Sequence, residues 1–400
     1  MMAMEKNNKT LNVPNLRFPE FSGEWERKRL GNLVEIRSGV SPSGAIDEEG
    51  AYPFYKVEQL NNCYLELGET PYSTRNSAIP ANSIIFPKRG AAIMTNKVRL
   101  TSYPCQLDTN LMALSIKNNE ETDYKFLFYF IERCNLSKIA DTSTIPQINN
   151  THINPLRISI PLIREQKKIS ALLMELDQRI ETQKKIIEDL KKLKDAINNS
   201  LHNSIKDYQT FSFNELGNDY CGLKGKSSDD FGSGFPYISY LNVFRNDVVT
   251  DEQFDYVKVA IGEKQNIVRD GDLIFTLSSE TPSEVGIGAI YQGQTTPLYL
   301  NSFCFGVHLS NQEKIYGPYL AYFVTSQYFR RTILPFAQGS TRYNLMKSDF
   351  MKHKFCFPNM ASQKAIYNAL HALSEKIQNE EVCLNKYTEQ KQYLLTRLFI

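Results

Sequence analysis

Two stretches of the chain place apolar residues at alternating steps of four and three for about forty residues. In the first, the steps from Ile169 land on Leu173, Leu176, Ile180, Gln183, Ile187, Leu190, Lys194, Ile197 and Leu201. In the second, the steps from Ile366 land on Leu370, Leu373, Ile377, Glu380, Leu384, Tyr387, Lys391, Leu394 and Leu398. A mean spacing of 3.5 residues is the seam of a coiled coil, and polar interruptions of such a seam fix register and partner. Forty residues make roughly 60 Å of helix. The interruptions match: Gln183 with Glu380, and Lys194 with Lys391. Two amphipathic helices resting on separate cores would give the same stripe. The matched interruptions and the length favour a helix pair, in which the apolar seam positions from Leu173 to Leu190 and from Leu370 to Leu394 form a spacer.

The match extends beyond the helices. Ser143-Thr144, Pro161, Gln166-Lys167 and Ile169 recur 197 positions later as Ser340-Thr341, Pro358, Gln363-Lys364 and Ile366. A period this long is a domain duplication and not a solenoid, whose units are far shorter. Each long helix follows an apolar strand ending in proline, Arg157–Pro161 and Lys354–Pro358, where proline stops the strand and suits a helix start. If the halves are related by a pseudo-two-fold axis, the helix pair runs antiparallel.

Shorter anchors also recur. Arg29-Leu30-Gly31-Asn32 returns as Glu215-Leu216-Gly217-Asn218, Tyr52-Pro53-Phe54-Tyr55 as Phe235-Pro236-Tyr237-Ile238, and Asn82–Phe86 as Gly271–Phe275. These β-branched and aromatic runs, bounded by Gly, Pro and Asn, read as strands. Phe126–Phe130 and Tyr319–Phe323, crowded with apolar residues and without alternation, read as a buried helix. The fold class is therefore α+β: two mixed α/β domains, an internal pseudo-two-fold duplication, and two long helices packed as an antiparallel coiled coil between them. The boundaries read as a disordered leader over 1–12, a first domain over 13–160, a central helix over 161–207, a second domain over 208–357 and a C-terminal helix over 358–400.

Composition narrows the function. The 400 residues are 42% hydrophobic and 22% charged, with a net charge of +2, as in an ordinary globular protein. That balance excludes a non-specific nucleic-acid coat, whose affinity needs dense basic charge, but not a reader with locally placed basic residues. The seven cysteines are scattered and never spaced as C-x-x-C, so reduced thiols in a cytoplasmic protein are expected in place of a disulfide framework or zinc site. No apolar run reaches the eighteen residues of a membrane span, and the polar start, Met1 to Thr10, is unlike a secretory signal.

The chain resembles the DNA-specificity subunit of type I restriction–modification systems. The resemblance rests on Pro14–Phe21 with Gly23-Glu24-Trp25, on Leu30-Gly31 followed by Ile36–Gly39, on Pro161 with Glu165-Gln166 and the helix beyond, and on the repeat of this pattern in the second half. It covers about Val13 to Ile400. Ser362 stands where the pattern has an acidic residue before the glutamine. The resemblance implies two target-recognition domains, each reading one half of a split site in double-stranded DNA, with the helix pair setting the gap. It implies two adenine-methyltransferase subunits as partners, restriction/translocase subunits reached through them, no cofactor, no membrane and no chemistry of its own. A coiled-coil scaffold displaying two protein- or glycan-binding domains is the alternative.

The residues offer little to an enzyme. A methyltransferase acting on adenine grips the flipped base with an Asn/Asp-Pro-Pro-aromatic loop, and Asn154-Pro155-Leu156 lacks the second proline and the aromatic. The glycines in Phe231–Phe235 run into a strand where a cofactor loop needs a helix. Gly286-Ile287-Gly288 is a similarly weak match. No phosphate loop is present, the five histidines share no ligand spacing, and Asp255 with Glu263-Lys264 reads as solvated loop charge.

Reading DNA needs Lys and Arg for phosphates, and Arg, Asn, Gln, Ser or Thr for base edges. In the first half the candidate DNA-binding residues are Arg75, Asn76, Lys88, Arg89, Lys97 and Arg99. In the second they are Lys224, Lys226, Tyr240, Ser278, Ser279, Ser340, Thr341, Arg342 and Tyr343.

Overall fold

A computed structural model describes residues 11–61, 65–142, 144–204, 207–252, 254–310 and 313–400. The leader expected over 1–12 lies outside the described residues as far as Thr10, and so does Ser143 of the repeat. At the leader's expected end Asn12 is buried, its Nδ2 donating to the Trp25 carbonyl at 2.5 Å. The chain divides into two compact units, one of residues 1–186 with 381–400, the other of residues 187–380. Each long helix, Ile163–Asn203 and Met360–Arg397, therefore begins in one unit and ends in the other.

In the first unit a four-stranded sheet runs in the order Val34–Ser38, Leu111–Ile116, Ser83–Pro87, Arg99–Thr101, every pair antiparallel. The Ser83–Pro87 strand is buried throughout, because it is paired on both edges and covered on both faces. A smaller sheet places Tyr52–Tyr55 between Ser73–Thr74 and Gln106–Leu107. The helix Tyr124–Cys134 lies against the larger sheet, with Phe126 to Ile131 all buried. The same core takes in Ile169 and Leu173 from the start of the first long helix and Leu395, Leu398 and Phe399 from the end of the second.

The second unit repeats this plan. Its larger sheet runs Gly217–Cys221, Cys304–Leu309, Leu273–Thr276, Gly288–Tyr291, with Val248–Val249 added at the edge. Its smaller sheet places Phe231–Ile238 between Asp255–Val257 and Tyr299–Leu300. The core gathers Phe213, Phe275, Phe305, Phe323, Phe329 and Phe350 with Ile366 and Leu370, and Ile197 and Leu201 pack on it. The buried helix expected over Tyr319–Phe323 is shorter, Leu320–Phe323. It follows a 3-10 turn containing Pro318 and gives way to a second helix capped by Ser326.

The strand expected over Arg29–Asn32 is corrected. Leu30–Leu33 form one helical turn, with Leu30 and Leu33 buried three residues apart. In the second copy Phe213–Leu216 do the same behind a capping box of Ser212 and Glu215. The next strand begins only after the turn, and Gly39 and Gly222 then end equivalent extended runs. A Cβ on either would lie 1.9 or 2.0 Å from a carbonyl oxygen, of Asp108 or Asn301, so only glycine admits the approach.

The repeated Pro–Gln pairs join each strand to its helix. The Gln166 amide donates to Pro161 O at 2.8 Å and accepts from Asp123 N at 2.9 Å. Gln363 donates to Pro358 O at 2.8 Å and accepts from Tyr316 N at 2.7 Å. Both glutamines are buried, so each polar atom needs the partner it has. The departure at Ser362 has an equally local reason. Glu165 is buried and held by Arg17 through two 2.7 Å bonds, with Trp25 Nε1 at 3.3 Å. Arg17 belongs to the segment that opens the first domain, which the second half lacks. A carboxylate at 362 would have no such arginine.

Candidate nucleic-acid interface

The helix seams are buried or half-buried at every predicted apolar position, with exposed residues between them. In the first unit Leu173 and Asp177 meet Leu395 and Lys391, which makes the packing antiparallel. The Lys391 ammonium is buried 2.8 Å from both Glu132 and Asp177 and 5.5 Å from the Tyr129 ring centroid. Burial pushes the Glu132 carboxyl up from its ordinary range, against the pull of Lys391. In the second unit Lys194 pairs with Asp247 at 2.5 Å and lies 5.3 Å from the Tyr322 ring centroid. The matched lysines in the sequence are thus matched in partners, each beside an aspartate and the tyrosine of a buried helix.

The strand Ser83–Pro87 runs on into Lys88 and Arg89. Lys88 O accepts from Ile148 N at 2.8 Å, and Gly90 N donates to Pro146 O at 2.8 Å. These bonds set Gln147 opposite Arg89, and a second bridge sets Asp141 on its other side. In the second unit Leu277 O accepts from Leu345 N at 2.8 Å, the equivalent bond. There Asn344 pairs with Ser278 on one side and Gln338 on the other. Candidates about 65 residues apart in sequence, Ser278 and Ser279 with Tyr343, are brought onto adjacent strands.

The candidates fare differently. Arg89 is exposed, and Lys88 is half-buried, with desolvation lowering its pKa. Arg75 is bound to Asp47 at 2.5 Å and Glu49 at 3.2 Å, so its charge is already matched. Asn76 is exposed. Lys97 donates to Asn61 Oδ1, and Arg99 Nη1 donates to its neighbour's carbonyl, Val98 O, at 2.8 Å. In the second unit Lys224 is exposed, whereas Lys226 is half-buried and paired with Glu263 at 2.7 Å. That pair, with Gln265 and Ala260 N, holds the Glu263 carboxyl down at about 2. Ser278 and Ser279 are buried, and Ser279 Oγ donates to Glu284 at 2.6 Å. Tyr240 opens a short helix and is half-buried, its hydroxyl raised by burial. Ser340, Thr341 and Arg342 are exposed, Arg342 lying 5.0 Å from the Phe303 ring centroid, and Tyr343 is half-buried. Gln147 is not among the sequence candidates. Its signal is the 197-residue period, which maps it onto Asn344.

Among the described residues no helix is long and apolar enough to cross a membrane. The family model for the type I restriction modification DNA specificity domain matches twice, over residues 22–192 and 205–387. The chain is 23% identical over 406 residues to the type I restriction enzyme MjaVIII specificity subunit of Methanocaldococcus jannaschii, an alignment covering 94% of this chain and 92% of the relative. It is 24% identical over 175 residues to the type I restriction enzyme EcoDI specificity subunit of Escherichia coli, covering 42% and 34%. Among solved structures, the type I restriction-modification S subunit of M. genitalium shares the fold with a TM-score of 0.57 and 19% identity, over 97% of this chain and 99% of that one. A chain from work on complex assembly and conformational transition of the type I R-M system also gives 0.57, at 14% identity over 94% and 97%. Matched in two copies over most of its length, the chain belongs to the type I restriction-modification DNA specificity family.

Proposed function

We propose that the chain reads a bipartite, asymmetric site in double-stranded DNA, one half with each unit, and catalyses nothing itself. In this reading it scaffolds adenine-methyltransferase subunits and, through them, restriction subunits. The two target-recognition domains take 13–160 and 208–357, and the helices over 161–207 and 358–400 set the spacing of the half-sites. The observation that carries the reading is a framework kept in both units while the side chains on it differ. The bond from Ile148 N to Lys88 O recurs as Leu345 N to Leu277 O, yet Lys88-Arg89 is replaced by Leu277-Ser278. Two copies that keep a scaffold and change the side chains it carries suit two targets. Sequence readout by side chains at base edges, with phosphates used for positioning, needs only the modest local charge present here.

The test is an exchange of residues 208–350 for the equivalent region of another family member, followed by sequencing of methylated DNA in a host carrying the chain and its methyltransferase. One half of the methylated motif changes and the other stays. A change in both halves, or in neither, overturns the division of labour. Four residues, about one turn, added to the first long helix lengthen the gap and leave both halves intact.

A further inference from the structure

In each unit the segments described above, joined by β-bridges in the first and by strand pairing in the second, carry a short row of side chains at directly paired positions. In the first unit the row is Arg89, Gln147, Asp141, with Gln147 central. In the second it is Ser278, Asn344, Gln338, with Asn344 central. Directly paired residues of antiparallel strands project from the same face. All of these residues are exposed except Ser278, which is buried beneath its neighbours with no hydrogen-bond partner for its hydroxyl.

The central amides are unexplained by the fold. Neither the Gln147 nor the Asn344 carboxamide has a hydrogen-bond partner among the described residues. Asparagine is depleted in strands, and a middle strand favours β-branched or aromatic residues. A local choice that opposes its element marks function more often than packing. The chemistry fits a base edge: a carboxamide donates to N7 and accepts from N6 of adenine as a bidentate pair, and arginine does the equivalent for guanine by donating to O6 and N7. Dimensions agree too. Three paired segments spaced about 4.8 Å apart span about 10 Å, the length of three base-pair steps of about 3.4 Å.

We propose that these two rows are the base-reading elements, Gln147 and Asn344 each contacting an adenine in its own half-site and Arg89 contacting a guanine beside the first. The proposal rests on the DNA-reading function above and assigns it to particular side chains. Loops elsewhere, among them those bearing Lys224 and Arg342, then serve to position the duplex.

The experiment uses the full chain in complex with its methyltransferase and a duplex library holding every single-base change of the wild-type motif. Gln147→Ala lowers discrimination roughly 5- to 150-fold at one A·T position of one half-site, and leaves the other half-site untouched. Asn344→Ala does the same in the other half. Gln147→Glu, which keeps the shape but only accepts, turns the preference at that position toward cytosine. Unchanged thermal melting of the variants, all at exposed positions, shows that folding is not the cause. The proposal is overturned if either alanine variant keeps full discrimination at every position, or weakens all duplexes equally. A wild-type complex with no preferred motif sinks the DNA-reading function itself, a result distinct from the other two.

Discussion

Lys391 Nζ lies 2.8 Å from Asp177 Oδ1, with 4% of the lysine side chain and none of the aspartate exposed. Tyr129 completes the site by donating to Asp177 Oδ2 at 2.7 Å. Deleting one partner of such a pair leaves a charge buried without compensation, which costs about 3–5 kcal/mol. Lys391→Ala therefore destabilises the chain by about that amount in urea unfolding. Lys194→Ala, the equivalent change, removes a pair whose aspartate side chain is 36% exposed, and costs about 1 kcal/mol or less. Equal losses would show that the two lysines are not distinguished by burial.

Arg17 and Glu165 form a second buried link, between the entry segment and the start of the first long helix. Arg17→Ala strands the carboxylate and costs about 3 kcal/mol. Glu165→Ser, which copies the second half, costs less in the Arg17→Ala background than in the wild type. A double-mutant cycle measures the difference, and additive effects would contradict the pairing.

His202 occupies in the second unit the place that Phe399 takes in the first. Phe399 stacks on Phe126 with ring centroids 4.9 Å apart, and His202 on Tyr319 at 5.6 Å. The Asn198 carbonyl can only accept, so Nδ1 of His202 donates to it at 2.8 Å and Nε2 accepts from the Tyr319 hydroxyl. Both nitrogens are satisfied with the ring neutral, and burial lowers its pKa. The unfolded chain thus binds the extra proton first. The contribution of His202 is whole above about pH 6.5 and is lost as pH falls below it. Unfolding midpoints measured from pH 7.5 to 5 decline for the wild type and flatten for His202→Phe.

Lys88 and Arg89 are neighbours with different expected signatures. The half-buried Lys88 suits a phosphate, so Lys88→Ala weakens binding to all duplexes alike and reduces the slope of log K against log salt by about 1. Arg89→Ala instead relaxes preference at one G·C position. Binding of the methyltransferase-bound chain to matched and mismatched duplexes across a salt series separates the two. Identical profiles would place both residues on the backbone of the DNA.

What the linear chain determined was periodic. The steps from Ile169 and Ile366, the paired lysines and the recurring Pro–Gln signals are properties of spacing, and spacing survives without knowledge of what packs where. Composition and motif likewise pointed to the family before any coordinate. Tertiary structure alone decided which polar residues were spent on partners within the chain or enclosed by it. Lys226 and Arg75 read as available cations until Glu263, Asp47 and Glu49 met them across 26 to 37 residues of chain. Ser278 and Ser279 read as loop hydroxyls until burial enclosed them. Arg29–Asn32 read as strand until packing buried Leu30 and Leu33 on one helical turn. Gln147 and Arg89 became neighbours only when a β-bridge set them opposite each other. The reason is common to all four: whether a side chain faces solvent, a partner or the core depends on neighbours distant in sequence, and period and propensity are blind to them.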